Sequence, residues 1–378
     1  MRIQTYCHIA QWGICRRIRK CNVDTIKLNI FRPMKKNWIL LICTILTSMQ
    51  SGLKAQDVHF SHAEFSPLTL NPALAGALSP MQGIANYRSQ WRSVATPYKT
   101  IAASFDARFN EKKRDKKGII AGGLNFFNDQ SGDLKIVTNN VNVNLAYHLM
   151  IDRNSTIGLG LYTGFGQRSI NPSAGRWGSQ YVNGAYDASA APGEVFNNAS
   201  FTYLDAGTGL VYTYKKNAGY MTQNNQFSLN AGVAAYHVNR PKYSFLGQGD
   251  EKLYMRYSAF VNAVIGIQNT RGSFLPGVYF QRQATENEVY LGTYYKYLLS
   301  EGSMVTGFTR PMSFYLGVFH RFKDAFVGKV MFEYDCYSLG FAYDINVSSL
   351  RSVSNAKGGF ELFLRYNLGD GGGFRSRI

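Results

Sequence analysis

Charged residues are scarce in this chain. Of 378 residues, only 17% are Asp, Glu, Lys or Arg. Half of the formal excess of +18 belongs to the front end. Residues 1–55 carry ten Lys and Arg and one acid, Asp24; the rest has 31 basic and 22 acidic residues, a formal +9. So modest an excess weakens a nucleic-acid-binding reading. Cysteine is also scarce. Four of the five (Cys7, Cys15, Cys21, Cys43) precede residue 56, and Cys336 alone remains. That excludes an intramolecular disulfide after Ala55. No run of about 18 apolar residues follows Ala55 either, which excludes helical membrane spans. Walker, GxSxG and HExxH motifs are missing, as is any zinc-type spacing. No catalytic residue, cofactor or metal is therefore assigned.

What the chain does have is aromatic rings and glycine: 25 Tyr, 25 Phe and 37 Gly. A β-structure in a membrane uses the rings on its lipid face and glycine in its turns. A pair of soluble β-sandwiches shares that composition, so patterning has to decide. In CYSLGFAYDIN (336–346), Tyr337, Leu339, Phe341, Tyr343 and Ile345 alternate with small or polar residues. VNVNLAYHL (141–149) and MRYSAFVNAVIGI (255–267) alternate in the same way. So does FELFLRYNL (360–368), with Phe363 as its one exception. Each run has roughly the 9–11 residues that cross a bilayer as a tilted strand. About fourteen such segments can be counted, with 299–311 the weakest stretch and 12 or 16 as alternatives. A soluble chain of this size would also show helices or fully buried strands. The expected fold is all-β: a transmembrane antiparallel β-barrel of about 14 strands over 81–378. Strands in lipid satisfy their amides only by closing.

An even strand number places both chain ends on the periplasmic side and the long connections outside. The stretches 169–202 and 238–253 fit as outward loops, and EKKRDKK (111–117) as a periplasmic turn. The facing of 336–346 carries an energetic expectation. Phe341→Arg would put a charge on lipid, and Ala342→Arg would be cheaper unless the lumen is tightly packed.

Met34-Lys35-Lys36, the apolar run 38–46 and the small Ala55 read as a signal peptide over 34–55, cleaved after Ala55. Basic, cysteine-bearing residues 1–33 read as a non-native upstream extension. Residues 56–80 form a near-terminal periplasmic or plug segment. In it, His59, His62 and Glu64 read as polar residues of an extended stretch rather than as a metal site. His148, His237 and His320 read as isolated on strands. GLGLYTGFG (158–166) reads as a barrel bend or close strand packing.

Several stretches together resemble the PorP/SprF family of the type IX secretion system. They begin with QDVHFS (56–61) and NPALAG (71–76), the latter with Asn71, Pro72 and Gly76. NYRSQW (86–91) follows, with Asn86, Tyr87, Arg88 and Trp91, and then SFD (104–106) with Asp106. AGVAAYHVNRP (231–241) holds His237, and FEYD (332–335) holds Glu333 and Tyr334. LGFAYDINVSSL (339–350) holds Gly340, Tyr343 and Asp344, and GGFELFLRYNL (358–368) holds Gly359 and Glu361. The tail GDGGGFRSRI departs from the usual terminal aromatic. The resemblance implies a non-enzymatic protein in the outer membrane of a Bacteroidota-type Gram-negative cell. It implies bilayer lipid, secretion machinery and a large secreted surface protein, such as a gliding adhesin, as partners, and no nucleic acid. No role attaches to individual motif residues; Asn71-Pro72 reads equally as a plain turn. An outer-membrane channel for apolar or small solutes is the alternative.

Overall fold

The computed structural model describes residues 57–94, 96–109, 117–193, 199–216, 224–245, 251–302, 309–348 and 351–368. The signal-peptide and extension readings, and most of the charged turn 111–117, lie outside them.

Among the described residues, fourteen antiparallel strands close into one barrel. They are β1 (Met81–Gln90), β2 (Tyr98–Arg108), β3 (Gly118–Ser131), β4 (Ile136–Met150) and β5 (Ser155–Ser169). A small hairpin, β6 (Tyr181–Val182) and β7 (Ala185–Tyr186), interrupts the series. Then come β8 (Ser200–Lys216), β9 (Phe227–Tyr236), β10 (Arg256–Gly266), β11 (Gly272–Gln283) and β12 (Glu286–Ser300). The last four are β13 (Met312–Arg321), β14 (Ala325–Tyr334), β15 (Tyr337–Asn346) and β16 (Lys357–Leu368). Each strand pairs with its sequence neighbour in the barrel. Closure is the β1–β16 seam, registered from Met81↔Leu368 to Gln90↔Gly359. The seam leaves no free sheet edge for lipid to meet.

Alternation decides which face each side chain takes. Along β15, burial switches at every residue. Phe341 is 43% exposed on the outer wall while Ala342 is fully buried inside. The outer wall is a continuous apolar band, with Leu145, Leu161, Leu210, Val261, Leu316 and Leu364 among its exposed residues. This is the arrangement of a lipid-facing barrel.

The interior is a packed core. Residues Asp57–Ser79 run inside the barrel through three short helical turns: Ala63–Phe65, Pro67–Leu70 and Pro72–Leu74. Pro67 and Pro72 stand at helix starts, where their missing N–H costs nothing. Phe65, Leu70, Ala73 and Leu74 pack in one cluster with the wall residues Tyr279, Tyr290, Tyr294, Phe319 and Phe363. Phe363 stacks on Phe65 with ring centroids 4.1 Å apart. Its break from the alternation is thus a contact with the internal segment.

Two expectations are corrected here. His59, His62 and Glu64, read as part of an extended stretch, lead into and begin the first helical turn inside the barrel. The segment also does not start at the periplasmic mouth. An even strand number fixes only the start of β1 and the end of β16, which share one mouth. Asp57 lies at the other, the mouth that carries the connections 170–199 and 237–255. The longer connections mark that mouth as the outward one.

Candidate functional site: an internal segment clamped to the wall

The barrel holds Asp57–Ser79 at four levels. At the outward mouth the backbone N–H of Asp57 donates to Gln283 Oε1 at 2.8 Å. The Asp57 carboxylate lies 2.5 Å from His237 Nε2 and 3.6 Å from Arg256 Nε. His237 Nδ1 is 2.8 Å from Asp205, which also accepts the Tyr162 hydroxyl at 2.6 Å. The imidazole therefore sits between two carboxylates. Burial alone would depress its pKa, but Asp57 and Asp205 outweigh burial and push it up to about 9. Burial likewise opposes ionisation of Asp57, and the His237 and Arg256 charges hold its carboxyl well below the usual range.

A step further along, Glu361 accepts two consecutive backbone N–H groups, Ser61 at 2.6 Å and His62 at 3.0 Å. Ser61 Oγ donates to Asp344 at 2.8 Å. Arg88 and Arg321 approach the same carboxylate at 3.2 and 3.1 Å. Arg88 also donates to the carbonyl of His59. Asp344 is thus paired with two guanidinium groups and Glu361 is compensated by two backbone N–H groups, the kind of partner a buried charge needs in a low dielectric.

At mid-height Lys329 Nζ meets Glu64 at 2.9 Å. The Tyr294 hydroxyl donates to Glu64 as well, and Lys329 lies 3.7 Å from the centroid of the Phe319 ring.

Lower down, Asn71 bridges strands. Its Nδ2 donates to the carbonyls of Leu210 at 2.9 Å and Val233 at 3.1 Å, and its Oδ1 accepts Ala73 N–H at 2.8 Å. His148 Nε2 is 2.7 Å from the Ala75 carbonyl, which it reaches as a donor. Gly76 takes φ +64°, a conformation glycine adopts without strain. Its N–H donates to Asp106 at 2.8 Å, and its carbonyl accepts Arg108 Nε at 2.6 Å. Ser79 donates to Asn367 at 3.0 Å.

Seven of the sequence-selected residues therefore meet in one job. Asn71, Gly76, Arg88, Asp106, His237, Asp344 and Glu361 all belong to the clamp. Pro72 opens the turn that lies against Gly160, where a Cβ would stand 2.2 Å from Ala73 N. In the glycine-rich run 158–166, Gly160 thus makes room for the segment, while a Cβ at Gly158, Gly164 or Gly166 would meet side chains of the neighbouring strands, the close strand packing expected there. Gly340 likewise makes room for the Phe363 ring. Asn86 is buried on the inner face. Gly359 packs close to Ser89 and Gln90 across the seam.

The rest stand apart from the clamp. Glu333 accepts the Tyr315 hydroxyl lower on the wall. Trp91, at φ 54°, sits edge-on to Tyr98 above β1. Tyr87, Tyr334 and Tyr343 point outward, as strand parity requires. His148 and His237 are not isolated, and His237 follows β9 rather than lying in it. His320 stacks on Phe326 with centroids 4.3 Å apart.

Sequence reasoning passed over Lys329, Arg321 and Tyr294, and took Glu64 only as a polar residue beside two histidines. Lys329 did carry a signal, a lysine on the inward parity in the middle of a largely apolar strand. Among the described residues, no cluster of His, Cys, Asp and Glu could hold a metal ion.

These features define a class: an outer-membrane β-barrel whose lumen is occupied by its own amino-terminal segment. The chain belongs to the PorP/SprF family of type IX secretion system membrane proteins, whose family model matches residues 52–366. No curated protein matches it. Among solved structures it is similar to a FadL homologue from Pseudomonas aeruginosa. The identity is 9% and the TM-score 0.40, over 79% of this chain and 92% of that one. BamA from Haemophilus ducreyi, lacking POTRA domains 1–3, gives 8%, 0.41, 76% and 70% in the same order. CdiB from Acinetobacter baumannii gives 8%, 0.39 and 77%, and this chain spans 60% of its length.

Proposed function

We propose that this barrel is a non-enzymatic docking component, supporting secretion or surface attachment of a large partner protein such as a gliding adhesin. The observation that carries this reading is the filled lumen. Beside the segment's outward end, the cavities lined by Asp57 measure about 20 Å³ each, room for a single water. So little space beside the segment speaks against the channel alternative. What remains for function is the outward surface. The β6–β7 hairpin turns tightly through Asn183 and Gly184, at φ 54° and 82°. It displays Tyr181 and Tyr186, with Arg176 stacked 5.0 Å from the Tyr186 ring. Tyrosine and arginine are the residue types that anchor protein interfaces.

The test is a pull-down from detergent-solubilised outer membrane. A large secreted protein and type IX components are expected in the eluate. Replacing Tyr181 and Tyr186 together by Ala should cut recovery of the secreted protein about tenfold or more. Solute flux through the intact barrel in reconstituted bilayers, with no protein partner recovered, would overturn the docking reading.

A further inference from the structure

The lipid-facing wall is notched where β8, β9, β10 and β11 run together. Ala231 on β9 and Ala259 on β10 stand at outward positions among Leu210, Val233, Val261 and Phe280. The register sets them side by side, with Leu210↔Val233, Val233↔Ala259, Ala231↔Val261 and Ala259↔Phe280. The two methyl side chains leave an open, apolar groove of about 520 Å³ between their larger neighbours. Toward the outward mouth the same strands change character. Two residues beyond the Ala259–Phe280 pair, Tyr257 stands opposite Arg282. With Arg240, Tyr254, Met255 and Ala284 they line a second cavity of about 300 Å³, and no carboxylate lines it. A turn holds Arg240 there, its N–H donating to the His237 carbonyl at 3.0 Å. Arg88, Arg256 and Arg321 are engaged inside the barrel. Arg240 and Arg282 are exposed, and among the described residues neither guanidinium has an ion pair or hydrogen bond. Tyr254 and Tyr257, 44% and 49% exposed, are residues of the type that girdles a barrel at the membrane interface.

We propose that the two cavities form one binding site for an anionic membrane lipid, its phosphate between Arg240 and Arg282 and an acyl chain in the groove below. The chemistry changes in the order that a lipid changes, charge at the rim and hydrocarbon beneath. Guanidinium pairs with phosphate through two parallel hydrogen bonds and gives up its water more readily than an ammonium does. The four residues from Arg282 to Val278, which also lines the groove, span about 13 Å at about 3.3 Å each. The hydrocarbon core of a bilayer is about 30 Å thick, so the groove runs through much of one leaflet. A chain lying in it touches protein on its flanks as well as beneath, and gains dispersion contacts that a flat wall does not offer. The site belongs to the wall and stands apart from the docking surface. The orientation used there fixes only the leaflet, which is the outer one.

The experiment titrates the intact barrel, in a neutral detergent, with phosphatidate and with phosphatidylcholine of the same two chains. Bound lipid is counted by native mass spectrometry. One phosphatidate is expected to bind about tenfold or more tighter than phosphatidylcholine, the scale of a charge-assisted hydrogen bond or two. Arg240→Gln/Arg282→Gln, both at exposed positions, should abolish that preference. Ala231→Leu/Ala259→Leu fills the groove and keeps the wall apolar, and should weaken both lipids. Excess inorganic phosphate should leave phosphatidate bound. Equal binding of the two lipids by the wild type, or a preference that survives the arginine variant, would mean ordinary boundary lipid and overturn the site. Displacement of phosphatidate by inorganic phosphate would make it a site for the free ion, and undiminished binding by the alanine variant would take the chain out of the groove; either result overturns it as well. Should the alanine variant fold poorly, as judged by gel mobility of unheated samples, the single Ala259→Val carries the same outcomes. Loss of the secreted protein from the pull-down in the arginine variant, with lipid binding unchanged, would give the site to a protein instead. Recovery of that partner is read separately, so the docking reading can fail while the lipid site stands.

Discussion

At the scale of single residues, the clamp is a set of buried charges that have value only in pairs. Glu64 and Lys329 are the clearest case. Removing one partner strands the other in a low dielectric, which costs about 3–5 kcal/mol, while replacing both by uncharged residues of similar size is often neutral. Lys329→Met should therefore lower the denaturant midpoint in detergent strongly. The double variant Glu64→Gln/Lys329→Met should recover most of the loss. A double variant no better than the single one would mean that the pair does not act as a pair. The outward clamp gives a pH signature. The His237 pKa rises from 6.5 to about 9 on folding, so its contribution is complete below about pH 6.5 and is lost as pH rises through 9. That of Asp57 is present above its ordinary 3.8 and is lost only as pH falls through its depressed value. Asp205 and Arg256 face the same pair and Tyr162 closes it. Amide exchange of residues 57–61, corrected for intrinsic rate, should be faster at pH 10 than at pH 6. His237→Gln should remove most of that difference. Neither the Asp57–His237 nor the Glu64–Lys329 pairing was legible in the sequence, because their members lie 180 and 265 residues apart. Residue type and strand parity mark Lys329 as inward, but nothing in the sequence names Glu64 as its partner.

At the scale of elements, period-two alternation made nearly every wall strand readable, since one face of each must be apolar and the other must not. The segment inside the barrel has no such period. Its turns are three or four residues long, and they hold their shape through wall contacts rather than through propensity. The facing of β15 was correct, but the energetic expectation attached to it changes. Phe341→Arg puts a charge into lipid at a cost of about 2–4 kcal/mol near the midplane. Ala342→Arg is cheaper only where the lumen is loosely packed, and here it is not. Ala342 is in fact fully buried in the lumenal core and registered against Lys329, so an arginine there overpacks the core and repels that lysine. Both variants should lose folding yield in lipid vesicles, with Phe341→Leu close to wild type. Normal yield for Ala342→Arg would show that the lumen is looser than described. The glycine groove gives a parallel case. Gly160→Val pushes against backbone at Ala73 and Pro72, which cannot rotate away as a side chain could. About 1–3 kcal/mol of destabilisation is expected, on the scale of core overpacking.

At the scale of the whole molecule, strand number sets what the lumen must contain. Barrel diameter grows with strand count. Eight strands leave a bore that wall side chains fill, whereas 16 to 18 leave a water channel. Fourteen strands fall between, too wide for the wall alone, and the difference is made up by Asp57–Ser79. The sequence announces the strand count but not the filler, because a segment without periodicity looks the same whether it trails into the periplasm or threads the bore. The filled bore yields a measurement. In planar bilayers the intact barrel should insert without a steady conductance. A variant lacking Val58–Ala75, with Asp57 and Gly76 joined by a short Gly-Ser linker, loses Phe65, Leu70, Ala73 and Leu74 from the core. It exposes Lys329, Arg321, Arg88, Asp344 and Glu361 to an open bore, where water can solvate them. That variant should show stepwise ionic conductance. Steady conductance by the intact barrel, equal to that of the variant, would mean that the segment does not seal the lumen, and the docking reading would lose the observation that carries it.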